Sequence, residues 1–329
     1  MTVTTSAFHI DEEVALSLVN YALPSILTLE ILPAIRDQTM KFFSLAAVVG
    51  DGSFTHVIHK ITSSDGSEID ISVFTPTGDA AAKSTQGKRP LIYFIHPGGL
   101  ILNNQFAGAS VPLSLAKDIG AVVISVDYRL APEHKAPAAV EDTYAGLVWA
   151  TSNAAELGID VEKVVVWGTS SGGGLGAAVA LMTRDRKPAG VAIAGLLLSC
   201  PMLENRFDEA DKNLFSADTT PVWSFESNEI AWKAYLGEQP SSAENPYHVP
   251  SRASDLSNLP PTYVDVGTAE LFRKSVMRFS ERLWECGGSV ELHAWPGGYH
   301  IFDLIMPTAS LSKKAIEAKY VWVRKVLGC

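Results

Sequence analysis

A serine between glycines, followed far downstream by a carboxylate and then a histidine, can carry nucleophilic chemistry on a carbonyl. The stretch "VVVWGTSSGGGLGAAVALM" sets Gly168-Thr169-Ser170-Ser171-Gly172 where an apolar, β-branched run meets a helical pattern. In that context G-x-S-x-G describes a sharp strand-to-helix turn whose crowding demands small residues and lifts the central serine above a sheet. Ser170 is the expected nucleophile, and Ser171 the expected donor of a backbone N–H. The plain alternative is a serine N-cap opening a helix. A strand before and a helix after favour catalysis.

A serine hydroxyl is a weak nucleophile near neutral pH and needs a base held by an acid. Three histidines lie downstream: His248, His293 and His300. His293 sits inside the strand-like "VELHAW", as a satisfied structural histidine would, and His248 ends an irregular stretch. His300 follows "PGGY" just past the last strand-like run, at the carboxyl end of a sheet where ligands gather. It is the expected base. For the acid, "TYVDVGTAELFRKS" offers Asp265 within a strand and Glu270 in the loop beyond it. A strand side chain points into helix packing, whereas a loop carboxylate can reach across strand ends, so Glu270 is preferred.

"YFIHPGGLIL" (Tyr93 to Leu102) is an apolar strand running into His96-Pro97-Gly98-Gly99. Bare backbone at a strand mouth suits an anion, and neither G-x-x-x-x-G-K-[ST] nor G-x-G-x-x-G is present to make it a phosphate loop. The anion expected is the oxyanion of a tetrahedral intermediate, held by N–H groups of Gly98, Gly99 and Ser171.

These residues need a scaffold. "LIYFIH", "AVVISVDY", "KVVVWG", "AGLLLSC", "TYVDVG" and "VELHAW" are short runs apolar on both faces, as in parallel strands, with helical patterns at 138–157, 171–184, 271–286 and 309–327. That alternation means a doubly wound α/β sheet. Upstream, residues 10–48 read as two helices, 55–76 as a β-hairpin and 78–90 as a polar loop. Residues 203–249 are too long for a simple crossover and carry Phe215, Trp223, Phe225, Trp232 and Tyr235, the composition of a lid. The final strand, "SVELHAW", has no strand-like run after it and should be a sheet edge.

Composition excludes several classes of function. With 329 residues, 47% hydrophobic and 19% charged, the chain is an ordinary globular protein. A net charge of −10 and a pI near 5.3 argue against nucleic-acid or anionic-membrane partners. Three scattered cysteines (Cys200, Cys286, Cys329) form neither a disulfide framework nor a metal cluster. The first Lys or Arg is Arg36, so the start lacks the basic region of a signal peptide. No apolar run approaches the roughly 20 residues of a membrane span. A cytoplasmic protein without cofactor or metal is expected.

"HPGG", "DYRLAPEH", "GTSSGG", "VGTAELFR" and "PGGYHIF" occur in the order and spacing of the hormone-sensitive-lipase-like branch of α/β-hydrolase carboxylesterases, which the chain resembles over residues 55–329. The resemblance implies a mostly parallel eight-stranded sheet flanked by helices, a single domain over 1–329, and a helical cap made of 1–48 plus 203–249. It also implies a serine esterase acting through an acyl-enzyme, with Ser170, Glu270 and His300 as triad. Small to medium apolar esters are the substrates expected. Three departures stand out. Pro97 replaces a glycine without touching the donor positions, glutamate replaces the commoner aspartate, and Lys274-Ser275 replaces an acidic pair. "DYRLAPEH" reads as a structural brace with no catalytic role. Lactone opening, acyl transfer and dehydration are alternatives on such a scaffold. A receptor like those for gibberellin is argued against by retention of all three triad residues. A homodimer through the last strand is expected, with Glu291 and His293 on its outer face set against it.

Overall fold

The computed structural model describes residues 8–20, 23–50, 52–83 and 88–329. Its centre is an eight-stranded sheet in the order β1-β2-β4-β3-β5-β6-β7-β8. The strands are β1 Phe54–Thr62, β2 Glu68–Pro76, β3 Arg89–Ile95, β4 Val122–Val126, β5 Ile159–Thr169, β6 Gly195–Ser199, β7 Thr262–Gly267 and β8 Val290–Trp295. The hairpin β1–β2 is antiparallel and joins β4 antiparallel, while every pairing from β4 to β8 is parallel. β8 is an edge, as its sequence leads one to expect.

Alternation along each strand divides the core. Leu91, Tyr93 and Ile95 of β3, Val164 and Val166 of β5 and Val264 and Val266 of β7 pack on one face, with helices Ala138–Ser152, Ser171–Arg186 and Arg273–Glu285. Ile92 and Phe94, Val165 and Trp167, and Tyr263 face the other way, onto helices Ser110–Ile119 and Ser310–Leu327. Strands buried on both faces need no polar alternation, which is why their sequences read as continuous apolar runs. By the same parity Asp265 points to the side of Ser310–Leu327.

Several elements differ from the sequence reading. The expected pair of helices over 10–48 is broken into Glu12–Ala15, a 3-10 turn Leu16–Asn20, Leu32–Phe42 and Leu45–Val49. Pro33 explains one start: it stands at the first turn of Leu32–Phe42, where its missing N–H costs nothing. Helix Ser110–Ile119 was hidden by Pro112, which also sits in a first turn. The pattern over 138–157 divides at Asn153, and the stretch 78–90 holds a helical turn Gly78–Ala81. Residues 1–7 and 21–22 of the expected cap and 84–87 of that loop lie outside the described residues. Between β6 and β7, the segment 203–249 forms helices Glu209–Leu214, Phe225–Leu236 and Pro240–Glu244. It is tied to the N-terminal segment: Ser227 Oγ accepts from Leu27 N–H at 3.0 Å, Ser224 Oγ donates to Ser25 O at 2.9 Å, and Phe8 stacks on Phe215.

Candidate active site

The turn after β5 is built by exclusion of side chains. Ser170 has φ 55° and ψ −119°, a conformation rare for a residue with a Cβ. A Cβ on Gly168 would lie 2.1 Å from Gly172 O, and one on Gly172 would lie 2.1 Å from Ile95 O. Glycine is the residue that fits at both. The strained serine is pinned on both sides, its N–H bonded to Ser199 O at 2.8 Å and its carbonyl accepting from Met202 N–H at 2.9 Å.

The other candidate groups, Glu270 and His300, sit on loops past β7 and β8. Ser170 Oγ is 2.8 Å from His300 Nε2, and His300 Nδ1 is 2.5 Å from Glu270 Oε2. A carboxylate can only accept here, so Nδ1 carries the proton and Nε2 faces the serine as a base. Glu270 Oε1 accepts from Gly267 N–H at 2.9 Å, which fixes the carboxylate against the end of β7. The acid and histidine loops are laced together by Thr268 N–H to Trp295 O and Ala269 N–H to Gly298 O, each 2.9 Å. Both side chains are buried, and Phe272 presents its edge to the imidazole at 5.1 Å.

The competing residues are elsewhere. Asp265 receives Lys319 Nζ at 3.0 Å and Trp295 Nε1–H at 3.2 Å, on the far side of the strand. His293 stacks between Tyr263 and Trp295 and bonds Glu291, and His248 bonds Ser242.

Gly98 and Gly99 have φ of 142° and 61°. Among the described residues, neither N–H makes a hydrogen bond, and Ser171 opens a helix whose first N–H groups have no intrahelical acceptor. Substituents are barred here too, since a Cβ on Gly99 would lie 2.2 Å from the Trp223 ring and one on Gly98 2.1 Å from Leu102 O. His96 is fully buried, stacked at 4.0 Å on Tyr128, whose hydroxyl donates to His96 O. Burial pulls its pKa down to about 4, so the ring is neutral and its Nδ1–H serves Pro97 O at 2.9 Å. Arg129 grips buried Asp142 through two nitrogens, so "DYRLAPEH" braces the loop from behind. Lys274, in place of the resembling family's acidic residue, pairs instead with Asp208 and Asp211 of the 203–249 segment.

Above Ser170 opens a cavity of about 1090 Å³, predominantly apolar, walled by Leu23, Leu27, Phe42, Phe106, Trp223 and Leu304. Its size lies at the upper end of small-molecule sites. Trp223 comes from the 203–249 segment, 6.3 Å from the His300 ring, with its Nε1–H held by Asn228. The aromatic content of that segment was visible in the sequence, but which ring reaches the serine was not. Cys200, Glu270 and His300 place possible metal-ligand atoms within 4.8 Å of one another. The histidine and glutamate atoms are engaged with each other and Ser170, and burial pushes the Cys200 thiol toward its protonated form. That group does not suit a metal.

The chain is similar to known proteins. A profile of the α/β hydrolase fold family matches residues 92–304. Carboxylesterase NlhH of Mycobacterium tuberculosis is 32% identical over 230 residues, 67% of this chain and 70% of that protein. An arylesterase of Saccharolobus solfataricus is 33% identical over 215 residues, covering 64% of this chain and 68% of its own. Among solved structures, a bacterial heroin esterase superposes with a TM-score of 0.86 at 32% identity, covering 97% of this chain and 98% of that one. Esterase LipW from Mycobacterium marinum gives a TM-score of 0.83 at 28% identity, covering 97% and 96%.

Proposed function

Since the chain belongs to the α/β hydrolase fold family and is a carboxylic ester hydrolase, we propose that Ser170, His300 and Glu270 are its catalytic triad and Gly98, Gly99 and Ser171 its oxyanion hole. The observation that carries this reading is the continuous chain Ser170 Oγ, His300 Nε2, His300 Nδ1, Glu270 Oε2, with links of 2.8 and 2.5 Å. It lies at the floor of the large apolar cavity.

In this reading Ser170 Oγ gives its proton to His300 Nε2 as it bonds to the ester carbonyl carbon. The carbonyl π pair moves to oxygen, and that oxyanion is taken up by the three N–H groups. Glu270 holds the imidazolium that forms. Collapse breaks the carbon–oxygen bond to the alcohol, whose oxygen takes the proton from Nε2. Water then repeats the sequence on the acyl-serine, releasing the acid and restoring Ser170. Losing one such donor costs about 3–4 kcal/mol of transition-state stabilisation in comparable sites.

The described residues of 1–48 and the segment 203–249 are proposed as one cap that excludes water and shapes the pocket. Their mutual hydrogen bonds and their joint lining of the cavity support it. Small to medium apolar esters suit those walls. No helix of the described residues is long and apolar enough to cross a membrane. Free Cys200, Cys286 and Cys329 support a reducing, cytoplasmic setting. The half-exposed edge β8 supports a homodimer, to be tested by light scattering: a mass near 35 kDa would refute it. Turnover of nitrophenyl esters of graded length by the wild type and by Ser170→Ala tests the enzymatic reading. Loss of turnover in the variant is expected, and retention overturns the triad.

A further inference from the structure

On the far side of β7, helix Ser310–Leu327 carries Lys319, whose side chain is 2% exposed. Its Nζ lies 3.0 Å from Asp265 Oδ2 and 2.5 Å from Asp303 Oδ2. Burial by itself would lower the lysine pKa, but the two carboxylates outweigh it and hold the ammonium charged. Such a buried cluster is costly to build, and hydrophobic residues of similar volume often serve stability as well. Its location suggests what it is for. Asp265 stands two residues before Gly267, whose N–H holds Glu270. Asp303 stands three residues after His300, in the turn Phe302–Ile305, and Trp295 Nε1–H from the end of β8 braces Asp265. A cavity of about 10 Å³, close to the room one water needs, separates the cluster from the triad and is lined by Cys200, Asp265, Glu270 and Asp303.

We propose that Lys319 is a positioning residue for the reaction: from behind the sheet it fastens the strand end that holds Glu270 to the loop that holds His300, and it offsets the charge of two carboxylates facing them. This rests on the reading of Glu270 and His300 as the catalytic pair. The ionisable groups beside that pair are Cys200 past β6, Asp265 on β7 and Asp303 in the turn after His300, with Lys319 of the last helix on the two aspartates and Arg273 held on Thr268 O of the acid loop. Of the two cations, Lys319 is the one that touches the aspartates. Removing its charge leaves two uncompensated carboxylates beside the pair, which favour a cation there, so the acid limb of the rate profile should move to higher pH. The geometry should loosen as well.

The test is steady-state hydrolysis of a short-chain nitrophenyl ester across pH by Lys319→Met and by Lys319→Met/Asp303→Asn, with thermal unfolding measured alongside. The double variant returns the cluster to its original net charge. For Lys319→Met, kcat should fall on the order of tenfold to a hundredfold, with KM within about twofold. The acid limb of kcat/KM should rise by about one pH unit. In the double variant the limb should return toward wild type while kcat stays lowered. A folded Lys319→Met enzyme with wild-type kcat and pH limb overturns the proposal. So does a kcat loss with no movement of the limb, which marks packing alone. Should the single variant fail to fold, a double variant with wild-type kcat overturns it equally. Phosphonate labelling of wild-type Ser170 keeps the two readings separate: absence of label there refutes the triad and with it this role of Lys319, whereas a labelled Ser170 with an unchanged Lys319→Met enzyme refutes the role of Lys319 alone.

Discussion

The floor of the site and its roof are made by opposite means. The floor is backbone against backbone, where Gly168, Gly172 and Gly98 each stand so close to a carbonyl that a single methyl group has nowhere to go. The roof is side chain against open space, with Phe42, Phe106, Trp223 and their neighbours around about 1090 Å³. A floor of that kind fixes the positions of Ser170 and the proposed oxyanion donors to within the tolerance that chemistry needs. A roof of that kind can change shape and sequence while the floor keeps working. Substitutions in the floor should therefore affect catalysis or folding outright, and substitutions in the roof should change preference.

The largest effects belong to the reacting groups. Ser170→Ala and His300→Ala should each lower kcat by roughly three orders of magnitude or more with unfolding midpoints near wild type, as read by esterase assay and calorimetry. Two carboxylates on one strand end sharpen the contrast next. Glu270→Gln should cost on the order of 10³-fold because the amide no longer fixes the imidazole tautomer, whereas Asp265→Asn, on the far face, should stay within about tenfold. A reversal of that ranking would reassign the acid.

Gly172→Ala tests the floor itself. Its Cβ would be forced against Ile95 O at 2.1 Å, so a loss of about 3 kcal/mol or more of stability is expected by denaturant unfolding. The matching change in the roof is Trp223→Ala. It should leave the rate on an acetyl ester within about tenfold and move the best acyl length upward, as read from kcat/KM along a chain-length series. Equal losses on every chain length would make Trp223 part of the floor.

The smallest effect concerns His96 and pH. Its folded pKa, about 4, lies below the ordinary value of 6.5, so the folded state binds fewer protons. Its contribution is complete above about pH 6.5 and is progressively lost as pH falls toward 4. His96→Asn should flatten the dependence of the unfolding midpoint on pH across that window.

Floor and roof were also unequally legible in the sequence. Strands buried on both faces, glycines where strand meets helix and a histidine past the last strand are local signals, so the sheet and the residues proposed for catalysis could be named from spacing alone. The loop proposed to hold the oxyanion is legible for the same reason, because Gly98-Gly99 follows a strand directly. Helix breaks near the start are not legible, because the apolar spacing runs on through Pro33 and nothing local marks it as the first turn of a new helix. Trp223 could be assigned to a lid but not to a place above Gly99, because that contact is set by the long-range docking of one segment on another. Lys319 belongs to no motif. Its signal was present: Ser312, Ala315, Lys319 and Val323 fall on one buried helical stripe, and a lysine there requires partners.

The most direct measurement is covalent. Wild-type enzyme treated with an active-site phosphonate ester and digested for mass spectrometry should carry a single adduct, on the peptide containing Ser170, with loss of activity in step with labelling. His300→Ala should label far more slowly at the same residue. An adduct on another residue, or full inactivation with Ser170 unmodified, would contradict the triad.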